Sequence, residues 1–177
     1  MKTRPIKKIM IISHTHWDRE WYQSLQEYRL RLLKSLDKLL SILKKDSEYR
    51  HFVLDGQLIP LQDYLEIRPE KTDLLSKHIR EGRISVGPWY TQPDEWLSLP
   101  ESLIRNLLFG ECFAEDHDFN LMKVGYTPDS FGHTAQLPQI LNGFDIDSFI
   151  FMRGLGDEGE RLGLEFVWKA PNGSRVA

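Results

Sequence analysis

"KKIMII" (residues 7–12), followed at once by "SHTHWDREW" (residues 13–21), is an apolar, β-branched run that ends in a cluster of ligand-type side chains. The run lacks helical spacing and predicts a short buried strand over 7–12. In extended chain alternate residues share a face, so His14, His16 and Asp18 just beyond the strand can point the same way. Imidazole nitrogen with carboxylate oxygen suits zinc or another borderline divalent ion, although three polar residues at this spacing serve equally well to solvate a loop.

Outward from this stretch, strands and helices alternate. From Trp21 the apolar positions 21, 25, 28, 32, 36, 39 and 43 advance in steps of three and four and predict a helix over 21–43. "HFVLDG" (51–56) predicts a second strand. Helical patterns follow over 58–67, beginning near Pro60, and over 70–80, ending at Gly82. "RISVG" (83–87) is a third strand, and Ser98 with Pro100 starts a helix that runs to about residue 117. "LMKVGY" (121–126) is a fourth strand, "TAQLPQILNG" (134–143) a short helix, and "DSFIFM" (147–152) a fifth strand. The tail "EFVWKAPNGSRVA" starts another strand, turns at Pro171-Asn172-Gly173 and begins one more, as if cut within a larger protein. Parallel neighbours need long return connections, so this alternation predicts an α/β fold with a parallel sheet and right-handed crossovers.

Bulk properties narrow the function classes. A chain of 177 residues, 41% hydrophobic and 28% charged, is enough for one core or for part of a larger domain. The net charge of −3, with Lys and Arg thinly spread, gives no basic face and excludes nucleic acid and anionic membrane as expected partners. Cys112 is the only cysteine, which rules out an internal disulfide and a cysteine-based zinc knuckle. The apolar part of the N-terminal stretch is too short for a signal or membrane segment, and the chain reads as cytoplasmic.

The polar clusters each follow a strand: "HTHWD" the first, Asp55 the second, "PWYTQPDEW" the third, "TPDSFGH" the fourth and Arg153 the fifth. Carboxyl-end rims of parallel sheets are where active sites collect. Taken singly, Asp129 is a helix N-cap, an Asx-turn residue or a site carboxylate, and His133 a cap, a packing residue or a site residue. Asp55 reads as a turn or capping residue, and Trp89, Tyr90 and Trp96 as either core or site wall.

"HTHWDREW", "GPWYTQPDEW" with "ESLIRNLLFG", and "GYTPDSFGHTAQLPQIL", in this order and spacing, closely resemble the N-terminal catalytic domain of glycoside hydrolase family 38, the α-mannosidases, and within it the bacterial branch that includes mannosylglycerate hydrolases. The resemblance implies an incomplete barrel of seven parallel β/α units, of which residues 1–177 form the N-terminal part, truncated at the C-terminal end. It implies zinc, with His16, Asp18 and Asp129 as ligands and Asp129 also the catalytic nucleophile of a retaining α-mannosidase. The fourth ligand, a histidine, and the general acid/base, an aspartate, would lie downstream of residue 177. Trp21 and Phe131 match aromatics around the mannose, Asp94 an acidic residue near the substrate, and Arg153 an arginine near the nucleophile. An α-mannoside is the expected substrate, and a homo-oligomer is open to the full-length protein. Animal members read Asn-Asp-Pro-Gly-Trp where this chain has Trp17-Asp18-Arg19-Glu20-Trp21, which leaves the linkage open. A metal-dependent carbohydrate deacetylase with Asp129 as base is a rival reading, disfavoured by the aromatic wall and the "PDSFGH" context. An inactive metal- or sugar-binding fragment is a third.

Overall fold

Strand β1 is Ser13–Thr15, not 7–12: the ligand-rich sequence itself pairs, and Ile9 to Ile12 lie exposed ahead of it. This computed structural model describes residues 8–177, so Lys7 falls outside. Pairing decides the shift, because β1 aligns in parallel with β2 (Phe52–Leu54) through Ser13↔Phe52 and Thr15↔Leu54, and the apolar run has no partner strand among the described residues. Strand β3 (Ile84–Ser85) adds to the other side of β2, giving the order β1-β2-β3.

Helix α1 (Leu25–Lys45) starts four residues later than the apolar spacing predicts. The Glu27 carboxylate accepts a hydrogen bond of 3.0 Å from the Ser24 N–H, a capping-box contact that sets the start and leaves Trp21 and Tyr22 outside the helix. Its buried stripe, including Leu32, Leu36, Leu39 and Leu43, covers the first sheet together with α2 (Ile59–Leu65) and α3 (Thr72–Arg80). Burial of such leucines contributes roughly 1.5–3 kcal/mol each.

A second core gathers Trp89, Leu103 and Leu107 of α4 (Pro100–Asp116), Leu137 and Leu141 of α5 (Leu137–Asn142), and Phe149 of β5 (Phe149–Phe151). Trp89 is therefore core. Strand β5 pairs in parallel with β4 (Gly125–Thr127), which lies later than predicted because Leu121 makes only an isolated parallel bridge to Val86. That bridge links the two parallel sheets. A short helix, α6 (Gly159–Leu162), has no counterpart in the sequence reading, whereas the predicted tail forms the antiparallel pair β6 (Trp168–Lys169) and β7 (Arg175–Val176). The architecture is α/β with small parallel sheets. Among the described residues, no helix is long and apolar enough to cross a membrane.

Gly110, in the middle of α4, shows how packing reaches the site. A Cβ there would lie 2.4 Å from the Pro88 carbonyl, so its absence lets the helix approach the segment after β3. Asn106 then clamps that segment, accepting from the Thr91 N–H at 3.0 Å and donating to the Thr91 carbonyl at 2.6 Å.

Candidate active site

The segments that leave the carboxyl ends of β1, β2, β3 and β4 line one open cleft of about 220 Å³, with His16, Asp18, Gln92, Asp94, Asp129 and Phe131 among its walls. His16, Asp18 and Asp129 each offer an atom within 4.8 Å of the others. His14, at the centre of β1, is exposed and does not join them. The alternation that suggested His14, His16 and Asp18 therefore holds for two of the three, and the third group comes from the segment after β4.

A buried carboxylate fixes His16. Asp55 is fully buried and takes a left-handed backbone, φ 48°, followed by Gly56 at φ 54°. Its oxygens meet His16 Nδ1 at 3.0 Å, the Trp17 N–H at 2.7 Å, Gln57 Nε2 at 2.6 Å and Gln92 Nε2 at 2.9 Å. Gln57 Nε2 also donates to the Trp17 carbonyl at 2.9 Å, so the peptide groups between His16 and Asp18 are held from both sides. Asp55 is thus part of the site and not simply a turn residue, contrary to the expectation from sequence. The Asp-Gly pair conceals this, because the same residues that favour a left-handed turn also carry the carboxylate.

With Nδ1 engaged by Asp55, the His16 lone pair falls on Nε2. That atom is buried, has no hydrogen-bond partner among the described residues, and stands 3.5 Å from both Asp18 Oδ1 and Asp129 Oδ2. An orphaned imidazole nitrogen facing two carboxylates is a donor set that fits a divalent cation. The Asp55 hydrogen bond raises the His16 pKa, an effect that burial opposes and the charges of Asp55, Asp18 and Asp129 reinforce.

Arg153, which follows β5, forms an ion pair with Asp129 and lies with its guanidinium 4.6 Å from the centre of the exposed Phe131 ring. Phe131 lines the cleft; Trp21 is 62% exposed, packs edge-on against Tyr22, and is absent from the lining. Asp94 lines the cleft and accepts a long 3.3 Å bond from the Trp96 N–H. Trp96 is exposed and lies against Gly132, whose Cβ would fall 1.9 Å from Trp96 Nε1; Tyr90 is half-buried beside Phe109. Glu95, which the sequence reading passed over, is buried and accepts from His133 Nδ1 at 2.9 Å and the Thr134 N–H at 2.8 Å. His133 Nε2 is used as well, 2.9 Å from the Arg153 carbonyl.

Residues 7–177 match the family described as "Glycosyl hydrolases family 38 N-terminal domain". A "Putative mannosylglycerate hydrolase" of Halalkalibacterium halodurans is 40% identical over 96% of this chain and 20% of its own length. An "Alpha-mannosidase" of Saccharomyces cerevisiae is 27% identical over 78% of this chain and 13% of its own. Among solved structures, an α-mannosidase from Enterococcus faecalis V583 superposes with a TM-score of 0.87 at 35% identity, over 93% of this chain and 19% of that one. A 4-alpha-glucanotransferase from Thermococcus litoralis, at TM-score 0.63 and 15% identity, shares the fold alone. The chain spans at most about a fifth of the length of the named relatives it matches. It belongs to glycoside hydrolase family 38.

Proposed function

We propose that this family 38 chain is the N-terminal part of a longer retaining α-mannosidase and provides its nucleophile and three of its zinc ligands. The single observation that carries the reading is the convergence of His16 Nε2, Asp18 and Asp129 in one cleft of a chain with this family match. His16, Asp18 and Asp129 would hold the zinc, which when bound would grip neighbouring sugar hydroxyls as a Lewis acid.

In this reading Asp129 attacks the anomeric carbon as the glycosidic C–O bond breaks and the aglycone leaves with a proton from the general acid; water, giving up a proton to the same group, then cleaves the resulting glycosyl ester and frees mannose and Asp129. Arg153 pairs with the Asp129 carboxylate and holds it in place for attack. Phe131 offers an apolar face to the sugar, with Asp94 the further contact we assign to substrate. The general acid/base and fourth ligand are assigned to sequence after residue 177, and the parallel strands to an incomplete (β/α)7 barrel. The substrate class is an α-mannoside, either mannosylglycerate or an α-mannose oligosaccharide, and the place of action the cytoplasm. A deacetylase is less well supported, since none of the relatives named above is one.

The test is hydrolysis of an aryl α-mannoside by the full-length protein and its Asp129→Asn variant, with the anomeric configuration of the first product followed by NMR. Loss of at least about a thousandfold in kcat, and net retention in the wild type, are the expected results. Substantial activity in the variant would remove Asp129 from the role of nucleophile, and inversion would remove the glycosyl ester.

A further inference from the structure

Arg19, next in sequence to Asp18, lines the same cleft with its side chain 46% exposed. Its guanidinium is held from behind by Asp63 on α2, a carboxylate only 1% exposed: Nε donates to Oδ2 at 2.8 Å and Nη2 to Oδ1 at 3.0 Å. This fork uses the side edge of the guanidinium and fixes its plane. The end edge, one proton from Nη1 and the second from Nη2, makes no hydrogen bond among the described residues. A planar carboxylate fits that edge with two parallel bonds.

Asp63 is itself anchored. Arg29 Nε lies 3.6 Å from Asp63 Oδ1, and Arg29 also donates to the Asp63 carbonyl at 3.3 Å and pairs with Glu66. A buried carboxylate supported by a second guanidinium is a rigid base for a half-exposed first one. A tether for the loop after β1 would need only the Arg19–Asp63 contact, whereas this residue also lines the cleft and keeps one edge without a hydrogen bond among the described residues. The other charged groups around the cleft are mainly acidic: Asp18, Asp94 and Asp129 all line it. Among the described residues that line the cleft, Arg19 is the sole arginine or lysine. Arg153 stands nearby but is paired with Asp129, so among the lining side chains Arg19 is the cation that keeps hydrogen-bonding capacity for an anionic ligand.

We propose that Arg19 is a specificity-determining residue that reads a carboxylate on the aglycone, close to the glycosidic bond, so that the substrate class is an α-mannoside of a small hydroxy acid and not a neutral oligosaccharide. This rests on the α-mannosidase reading above. Uniform binding of the carboxylate in ground and transition states enters KM, whereas the bond-breaking groups on the mannose side enter kcat.

The experiment compares 2-O-α-mannosylglycerate with 2-O-α-mannosylglycerol, which exchanges the carboxylate for a hydroxymethyl group, using the full-length protein with Arg19, Arg19→Gln and Arg19→Lys, and a neutral aryl α-mannoside as reference. The wild type is expected to favour the charged probe by about tenfold or more in kcat/KM. Arg19→Gln should lower the ratio of kcat/KM on the charged probe to that on the neutral probe by about ten- to a hundredfold, through the KM of the charged probe, and Arg19→Lys should recover part of that ratio. Equal losses on both probes, or no preference in the wild type while the aryl mannoside is still cleaved, would overturn the role of Arg19 and leave the mannosidase reading standing. Failure of the wild type to cleave any of the three would overturn both.

Discussion

Two histidines in this molecule begin from the same arrangement and end differently. His16 and His133 each place Nδ1 on a buried carboxylate, Asp55 at 3.0 Å and Glu95 at 2.9 Å. The second nitrogen of His133 is closed by the Arg153 carbonyl at 2.9 Å, whereas that of His16 has no hydrogen-bond partner among the described residues and faces Asp18 and Asp129. The histidine–carboxylate pair is common to both; the free valence distinguishes the proposed ligand from the strut. Orientation by a carboxylate serves either purpose, and what lies beyond the other nitrogen decides which.

The sharpest way to break this comparison is to remove the strut. His133→Ala should cost about 3 kcal/mol, since it strands the buried Glu95 carboxylate, while bound zinc per molecule stays the same in the folded protein. Urea unfolding alongside metal analysis measures both. Loss of zinc from the folded variant would erase the distinction drawn here.

Next in size, Asp55→Asn keeps the shape but weakens the hold on His16, and zinc affinity should fall roughly ten- to a hundredfold. Glu95→Gln, the matched change on the other pair, should leave affinity unmoved. Competition with a chromophoric chelator gives both numbers, and parallel losses in the two variants would argue that the pairs are equivalent.

The smallest effect is one of pH. Burial pulls the His133 pKa down, but the Glu95 hydrogen bond and charge, with the Arg153 carbonyl, outweigh it and leave the value raised above the usual 6.5. A raised folded-state pKa means the native state binds the proton more tightly, so this contribution to stability is full below about pH 6.5 and disappears as pH rises through the folded value. The Tm gap between wild type and His133→Ala should accordingly narrow from pH 6 to pH 9. A gap that widens would reverse the assigned sign.

Legibility in the sequence followed the range of the forces. Helix α4 and the buried face of α1 depend on local spacing and on Pro100 or Ser24, and both could be read directly, apart from the start of α1. The parallel strands of the two sheets span only two or three residues, too few for a period-two pattern to show, so β1 and β4 came out displaced toward neighbouring apolar runs. His16, Asp18, Asp129 and Phe131 were visible because strand ends gather on one rim and the motifs around them are long. Gln57, Gln92 and Glu95 were not, since each acts through a partner distant in sequence: Gln57 reaches the Trp17 carbonyl, Gln92 the Asp55 carboxylate, and Glu95 the His133 ring. Trp21 shows the converse, a residue prominent in the motif whose side chain does not line the cleft.

The left-handed backbone at Asp55 has a consequence for how this protein can vary. Charge alone would admit glutamate at that position, and hydrogen bonding alone would admit several polar residues. A φ of 48° excludes β-branched and bulky side chains and favours asparagine or aspartate. Two independent filters, one conformational and one chemical, thus overlap on a single letter of the amino-acid alphabet, and a lineage drifting at this position has almost no neutral neighbours to pass through.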